Sequence, residues 1–280
     1  MSMKFCKLSF SSRLCAALAT VIFSCAPFVH AQGNYEVQVY GSDLIAPGHT
    51  MVELHSNFTV EGTTTKVDGV LPDQHQFHAT AEITQGFNDW FEVGFYIFTS
   101  GASGQGYKWV GDHIRPRVRV PEKWHWPVGV SLSTEVGYQR PIFSADTWTW
   151  EIRPIVDKQM GHWYAAFNPA LERSWHGPSV KEGVGFSPSA KVAYSLTRRL
   201  SAGLEYYGSL GSITGFDPVR QQHQFVPNVD YDFGPNWEFN LGVGVGATRS
   251  TDHILVKAIL GRRFRFATPH MHPKPAPEAL

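Results

Sequence analysis

Beyond its first 31 residues this 280-residue chain has no cysteine: Cys6, Cys15 and Cys25 all precede residue 32. That excludes disulfides, thiolate metal sites and a cysteine nucleophile from the rest of the chain. No apolar run approaches the roughly 20 residues a membrane-spanning helix needs. No Lys/Arg-rich run exists, so nucleic acid is not an expected partner. Neither a Walker motif nor a dinucleotide fingerprint follows a strand, and no cofactor is expected. Charge is balanced, with 24 basic and 24 acidic residues.

What is present begins with a secretory pattern. Lys4, Lys7 and Arg13 precede an apolar stretch from Leu14 to Phe28, and Val29-His30-Ala31 forms a small-x-small cleavage site. Residues 1–31 therefore read as a signal peptide cleaved near Ala31. Ile22-Phe23-Ser24-Cys25 offers a rival, a lipidated Cys25, but Phe23 is bulky for such a motif. Without Lys4, Lys7 and Arg13 the mature part, 32–280, keeps 21 basic against 24 acidic residues.

From there on, segments of about ten residues alternate apolar and polar side chains, as in Phe91, Val93, Phe95 and Ile97 around Glu92, Gly94 and Tyr96. Twelve such segments are expected: 50–60, 76–86, 89–100, 109–121, 127–139, 146–158, 162–174, 184–196, 199–210, 221–232, 236–248 and 252–265. Connections after the even segments are tight. Those after the first, third, seventh and ninth are longer and rich in Gly, Thr, Ser and Gln. This is the pattern of a transmembrane antiparallel up-and-down β-barrel, all-β, with both ends of the chain on the periplasmic side. Residues 50–266 form the barrel in this reading. Residues 32–49, broken by Ala46-Pro47-Gly48, form an N-terminal periplasmic arm or a short plug, and 267–280 a flexible Pro/His-rich periplasmic tail.

Period two sets the facing. Ile114, Pro116, Val118 and Val120 point to lipid, while His113, Arg115, Arg117 and Arg119 point inward. The reverse would place three arginines in hydrocarbon, at about 2–4 kcal/mol each near the midplane. Phe87, Trp90, Trp124, Trp126, Trp163, Phe233 and Trp237 cluster near the tight turns, as a headgroup-level girdle would. Pro116, Pro154, Pro169, Pro188 and Pro227 recur inside strands on the outward parity. Proline removes a ladder donor, so bulges in the outer half of the wall are expected there.

Near the end, Gly261, Phe264 and Phe266 match Gly-x-x-aromatic-x-aromatic and resemble the insertion signal read by the barrel-assembly machinery. The hairpin pattern, with turns such as Gly86-Phe87-Asn88-Asp89-Trp90, resembles the outer-membrane barrels grouped with the phenol-degradation pathway, over most of residues 50–266. That resemblance implies an uptake role and no catalytic residues.

The candidate site is the lumen. Arg115, Arg117 and Arg119 form a ladder about 14 Å long at roughly 3.4 Å per residue. Such a strip could guide an anionic solute, or be held in an internal network, with Glu92 and Glu135 on the flanking strands and Glu151 and Arg153 on the sixth. Glu53 and His55 also face inward. His55 and Ser56 are adjacent, so a strand sends them to opposite faces and they cannot form a nucleophile–base pair. His270-Met271-His272 could hold a metal, but a solvated tail end is the simpler reading, and no metal site is assigned. The favoured function is a passive channel or transporter for a small solute, in contact with outer-membrane lipid. A lumen-filled structural or surface-binding barrel is the alternative, and a lipid-modifying enzyme comes third.

Overall fold

The computed structural model describes residues 35–215 and 217–265. The signal region, the 267–280 tail with its histidines, and Phe266 lie outside the described residues. Twelve strands run β1 His49–Glu61, β2 Phe77–Asn88, β3 Phe91–Ala102, β4 Gly106–Arg119, β5 Gly129–Gln139, β6 Trp148–Met160, β7 Trp163–His176, β8 Val184–Ser195, β9 Leu200–Ser209, β10 Gln222–Gly234, β11 Trp237–Gly246 and β12 Ile254–Arg265. Each pairs antiparallel with its sequence neighbours, and β1 pairs with β12, so the barrel closes. Closure leaves no open sheet edge, which is what lets a sheet sit in hydrocarbon.

The wall is inside out relative to a soluble protein. Most buried side chains are polar or charged, among them Thr80, Glu82, Asn168, Glu205 and Lys257. Large apolar side chains instead lie exposed around the outside, including Leu54, Ile83, Phe95, Ile114, Leu132, Phe167, Val192, Leu204 and Val243. Phe87, Trp90, Trp124, Trp126, Trp163, Phe233 and Trp237 ring the outside at the end where β1 starts and β12 stops, hereafter the terminal end. Tyr107, Trp109, Trp148 and Trp175 are exposed at the opposite, loop end. Aliphatic belt between aromatic rims is the layout of a bilayer-spanning barrel.

Three expectations need correction. The connection after β3 is short, residues 103–105, because Gly104 (φ +75°) and Gly106 (φ +71°) make a tight turn that a side chain would strain. A glycine-rich stretch that reads as a loop is a hairpin tip. Conversely, β4 and β5 are joined by residues 120–128, which include a 3₁₀ turn, Glu122–Trp124. Third, the prolines mark interruptions of the ladder at mid-wall rather than bulges in its outer half. The β4–β5 ladder skips from Ile114 to Arg117 at Pro116, and β6–β7 skips from Ile152 to Val156, where Pro154 and Pro169 stand. β10–β11 skips from Phe225 to Asn228 at Pro227. Pro188 pairs with Pro169 and directly precedes the start of the β8–β9 ladder at Ser189. Each lost donor costs a local gap, and the register is the same on both sides of it.

A bulge does occur elsewhere. Between Phe98 and Thr99 the β3–β4 register shifts, and β4 reverses its facing across it. Val110 is fully buried while Tyr107 and Trp109 face out.

Candidate functional site

Residues 35–48 run inside the barrel, and the lumen is built around them. The Tyr40 N–H donates to Asn168 Oδ1 at 2.8 Å, and Asn168 Nδ2 donates back to the Tyr40 carbonyl at 3.0 Å. Ser42 bonds Asp157 through its N–H (3.1 Å) and its hydroxyl (2.6 Å). The Ile45 N–H donates to Glu92 at 2.7 Å. Lys257, fully buried on β12, donates to the Val37 carbonyl at 2.9 Å and pairs with Glu205. Thr80 donates to the Tyr35 carbonyl at 2.6 Å. Strands from all around the barrel thus supply the partners that this non-helical segment needs for its own backbone. Apolar contacts add to them. Val37 and Val39 pack against Val226 and Leu255, and Tyr35 packs with Tyr96, Phe98 and Val110.

The inward arginines are all engaged. Arg115 pairs with Glu82 at 2.6 Å and lies 3.8 Å from Glu36. Arg117 lies 3.7 Å from Glu92 and donates to the carbonyls of Gly41 and Asp43. Arg119 lies 3.5 Å from Asp43 and 3.1 Å from Glu122. The Tyr40 ring sits among Arg115 (4.4 Å), Arg117 (5.9 Å) and Arg153 (5.2 Å), in cation–π range. Glu135 takes a hydrogen bond with His113 rather than with an arginine, and Glu151 holds Arg153 at 2.6 Å.

Glu82 and Glu36 were not singled out from sequence. Arg115 reaches Glu82 two strands away across Gly94, which lies opposite it on β3 and offers no side chain in between. Lys257, Glu205, Lys191 and Asp230 form a second ion network, Lys191 lying 3.1 Å from Glu205 and 2.8 Å from Asp230. Its sequence signal is a lysine on inward parity in the apolar run Ile254–Leu260 of β12.

Glu53 and His55 face inward beside Glu82, and the three bring ligand-type atoms within 4.8 Å of one another. Arg115 already supplies the positive charge at Glu82, so this is an ion-pair cluster. His55 is buried and Ser56 lies on the other face of β1. Gly261 is buried against Met51 and Glu53, where a side chain would collide, and Phe264 is half-buried near the end of β12.

Above the N-terminal segment, toward the loop end, lies a cavity of about 510 Å³. Its floor is Tyr35, Glu36 and Gln38, and its walls include Phe98, His113, Glu135, Glu151, Arg153 and Glu172.

Fold and lumen define a twelve-stranded barrel of the outer-membrane type. No family model matches the sequence, and no curated protein matches it. The structure is similar to an outer-membrane channel from Pseudomonas putida F1, with a TM-score of 0.55 at 11% identity over 82% of this chain and 100% of that one. It is also similar to the NanC porin, with a TM-score of 0.52 at 7% identity over 77% of this chain and all of that one. At such identities the likeness is one of fold.

Proposed function

We propose that this protein is a passive channel of the bacterial outer membrane for a small solute, narrowed by its own residues 35–48. The observation that carries this is the cavity of about 510 Å³ inside a polar lumen, lined at the loop end by connecting segments and floored by residues 35–38 rather than by the wall itself. Channel and porin are the descriptions of the two similar structures, which supports the reading. So does the resemblance to the phenol-degradation-pathway barrels. The terminal end faces the periplasm in this account. Phe264 and Phe266, with Gly261, address the chain to the barrel-assembly machinery. The ladder Arg115, Arg117 and Arg119 serves to seat the segment and pair carboxylates.

The lumen-filled structural barrel has one observation in its favour. Around Arg115 the charges are paired and buried, which leaves little room for a solute past Tyr40. Swelling of proteoliposomes in sugars of graded size separates the two. The channel admits the smallest sugars and excludes larger ones. A structural barrel admits none, however much folded protein is incorporated.

A further inference from the structure

We propose that the loop-end cavity is a binding site for a small organic cation: an ammonium or guanidinium group carried on an apolar body. This deepens the channel reading and rests on it for access to the site.

The first ground is a row of like charges. Glu135 on β5 stands directly opposite Glu151 on β6, and Glu151 directly opposite Glu172 on β7. All three line the cavity, as does Glu36 from the floor. Like charges directly opposite in a sheet destabilise it unless a cation is shared among them. Two guanidinium groups serve these four carboxylates: Arg153 bonds Glu151 within the row, and Arg115, bonded to Glu82, lies 3.8 Å from Glu36. Among the described residues no arginine is paired with Glu135 or Glu172. Over the whole cavity, arginines 153, 173 and 220 face eight carboxylates, and Arg220 is itself paired with Asp217 at 3.3 Å. The field inside a low-dielectric vestibule of that sign concentrates cations.

The second ground is an unused acceptor. Glu135 gives one carboxylate oxygen to His113, while its other oxygen, Oε2, has no hydrogen-bond partner. The Glu135 side chain is only 9% exposed. A buried acceptor of this kind is costly unless something donates to it. The cavity is where a donor can come from.

The third ground is the aromatic wall beside the carboxylates, where Phe98 meets His113 edge-on with ring centroids 4.6 Å apart. Tyr35 and Phe98 lie with ring centroids 5.7 Å apart, and Phe143 packs against the same cluster. A bare metal ion has no use for an aromatic wall, whereas an organic cation gains both cation–π and apolar contact. The volume, about 510 Å³, is within the range of pockets that hold small organic ligands.

The test measures binding rather than conduction, so that its failure can be told from failure of the channel reading. The full chain, refolded in detergent and shown folded by heat-modifiable gel mobility, is titrated calorimetrically with benzylamine, benzoate, benzyl alcohol and calcium chloride. Benzylammonium is expected to bind, at least tenfold more tightly than either benzoate or benzyl alcohol, and to weaken as salt rises. Glu172→Gln, at an exposed lumen position, and Glu135→Gln should each weaken it about fivefold or more. Should Glu135→Gln fail to fold, Glu172→Gln alone decides. Absence of benzylammonium heat, equal binding of benzoate, affinity unchanged in folded Glu172→Gln, or binding of calcium without benzylammonium would each overturn the proposal.

Discussion

Asn240 and Leu241 are neighbours on β11 with opposite surroundings. Asn240 points into the lumen and donates to Asp230 at 2.7 Å, while Leu241 is exposed on the outer belt. Arginine at 241 would meet hydrocarbon near mid-wall, at about 2–4 kcal/mol. Arginine at 240 would meet Asp230. Leu241→Arg is therefore expected to lower the yield of assembled barrel sharply and Asn240→Arg to leave it near wild type, read by heat-modifiable mobility of membrane fractions. Equal yields would mean that the facing is wrong. The arginines divide in the same way. Arg115 and Glu82 are both buried, so Arg115→Met strands Glu82 in the interior and should cost about 3–5 kcal/mol. Arg119 pairs with exposed Asp43 and Glu122, and Arg119→Gln should stay within about 1 kcal/mol. Urea midpoints of the folded variants in detergent would show the contrast, and a flat series would remove the ion network from the account.

At the scale of elements, the strands were legible and their joints less so. All twelve were expected, and each starts within three residues of its expected position. Period two is a strong signal when one face meets lipid and the other water. Hairpin tips were harder, because glycine serves both loops and positive-φ turns, as Gly104 and Gly106 do. The path of residues 35–48 was not legible, since its partners lie on strands far along the chain. A signal did exist: Met51, Phe98, Val226 and Leu255 are apolar residues on the inward parity, and all are buried. Apolar side chains facing a lumen imply that something packs against them. Gly86 marks one seat of the segment. A Cβ there would lie 2.1 Å from the Ile45 carbonyl oxygen, and Gly48 donates to the Gly86 carbonyl at 3.1 Å. Gly86→Val should dislodge residues 45–48 without changing the barrel. Limited proteolysis would then cut the segment faster while the β circular dichroism stays as in wild type. A cleavage rate equal to wild type would place the segment's anchor elsewhere.

The whole molecule is a polar lumen inside an apolar belt, with a segment of its own chain across the path. Which residues face that lumen was legible from alternation. Which of them meet was not, because partnership depends on the closure of β1 on β12 and on the course of the segment. Arg115 illustrates this: Glu92 and Glu135 flank its strand, yet it binds Glu82, across Gly94. The same view gives the central claim, a channel narrowed by residues 35–48. Single-channel recording in planar bilayers tests it most directly, comparing the full mature chain with one lacking residues 35–47. The account predicts small discrete conductance steps for the first and steps several times larger for the second. If neither form conducts although both are folded and inserted, or if deletion leaves the step size unchanged, the account is contradicted.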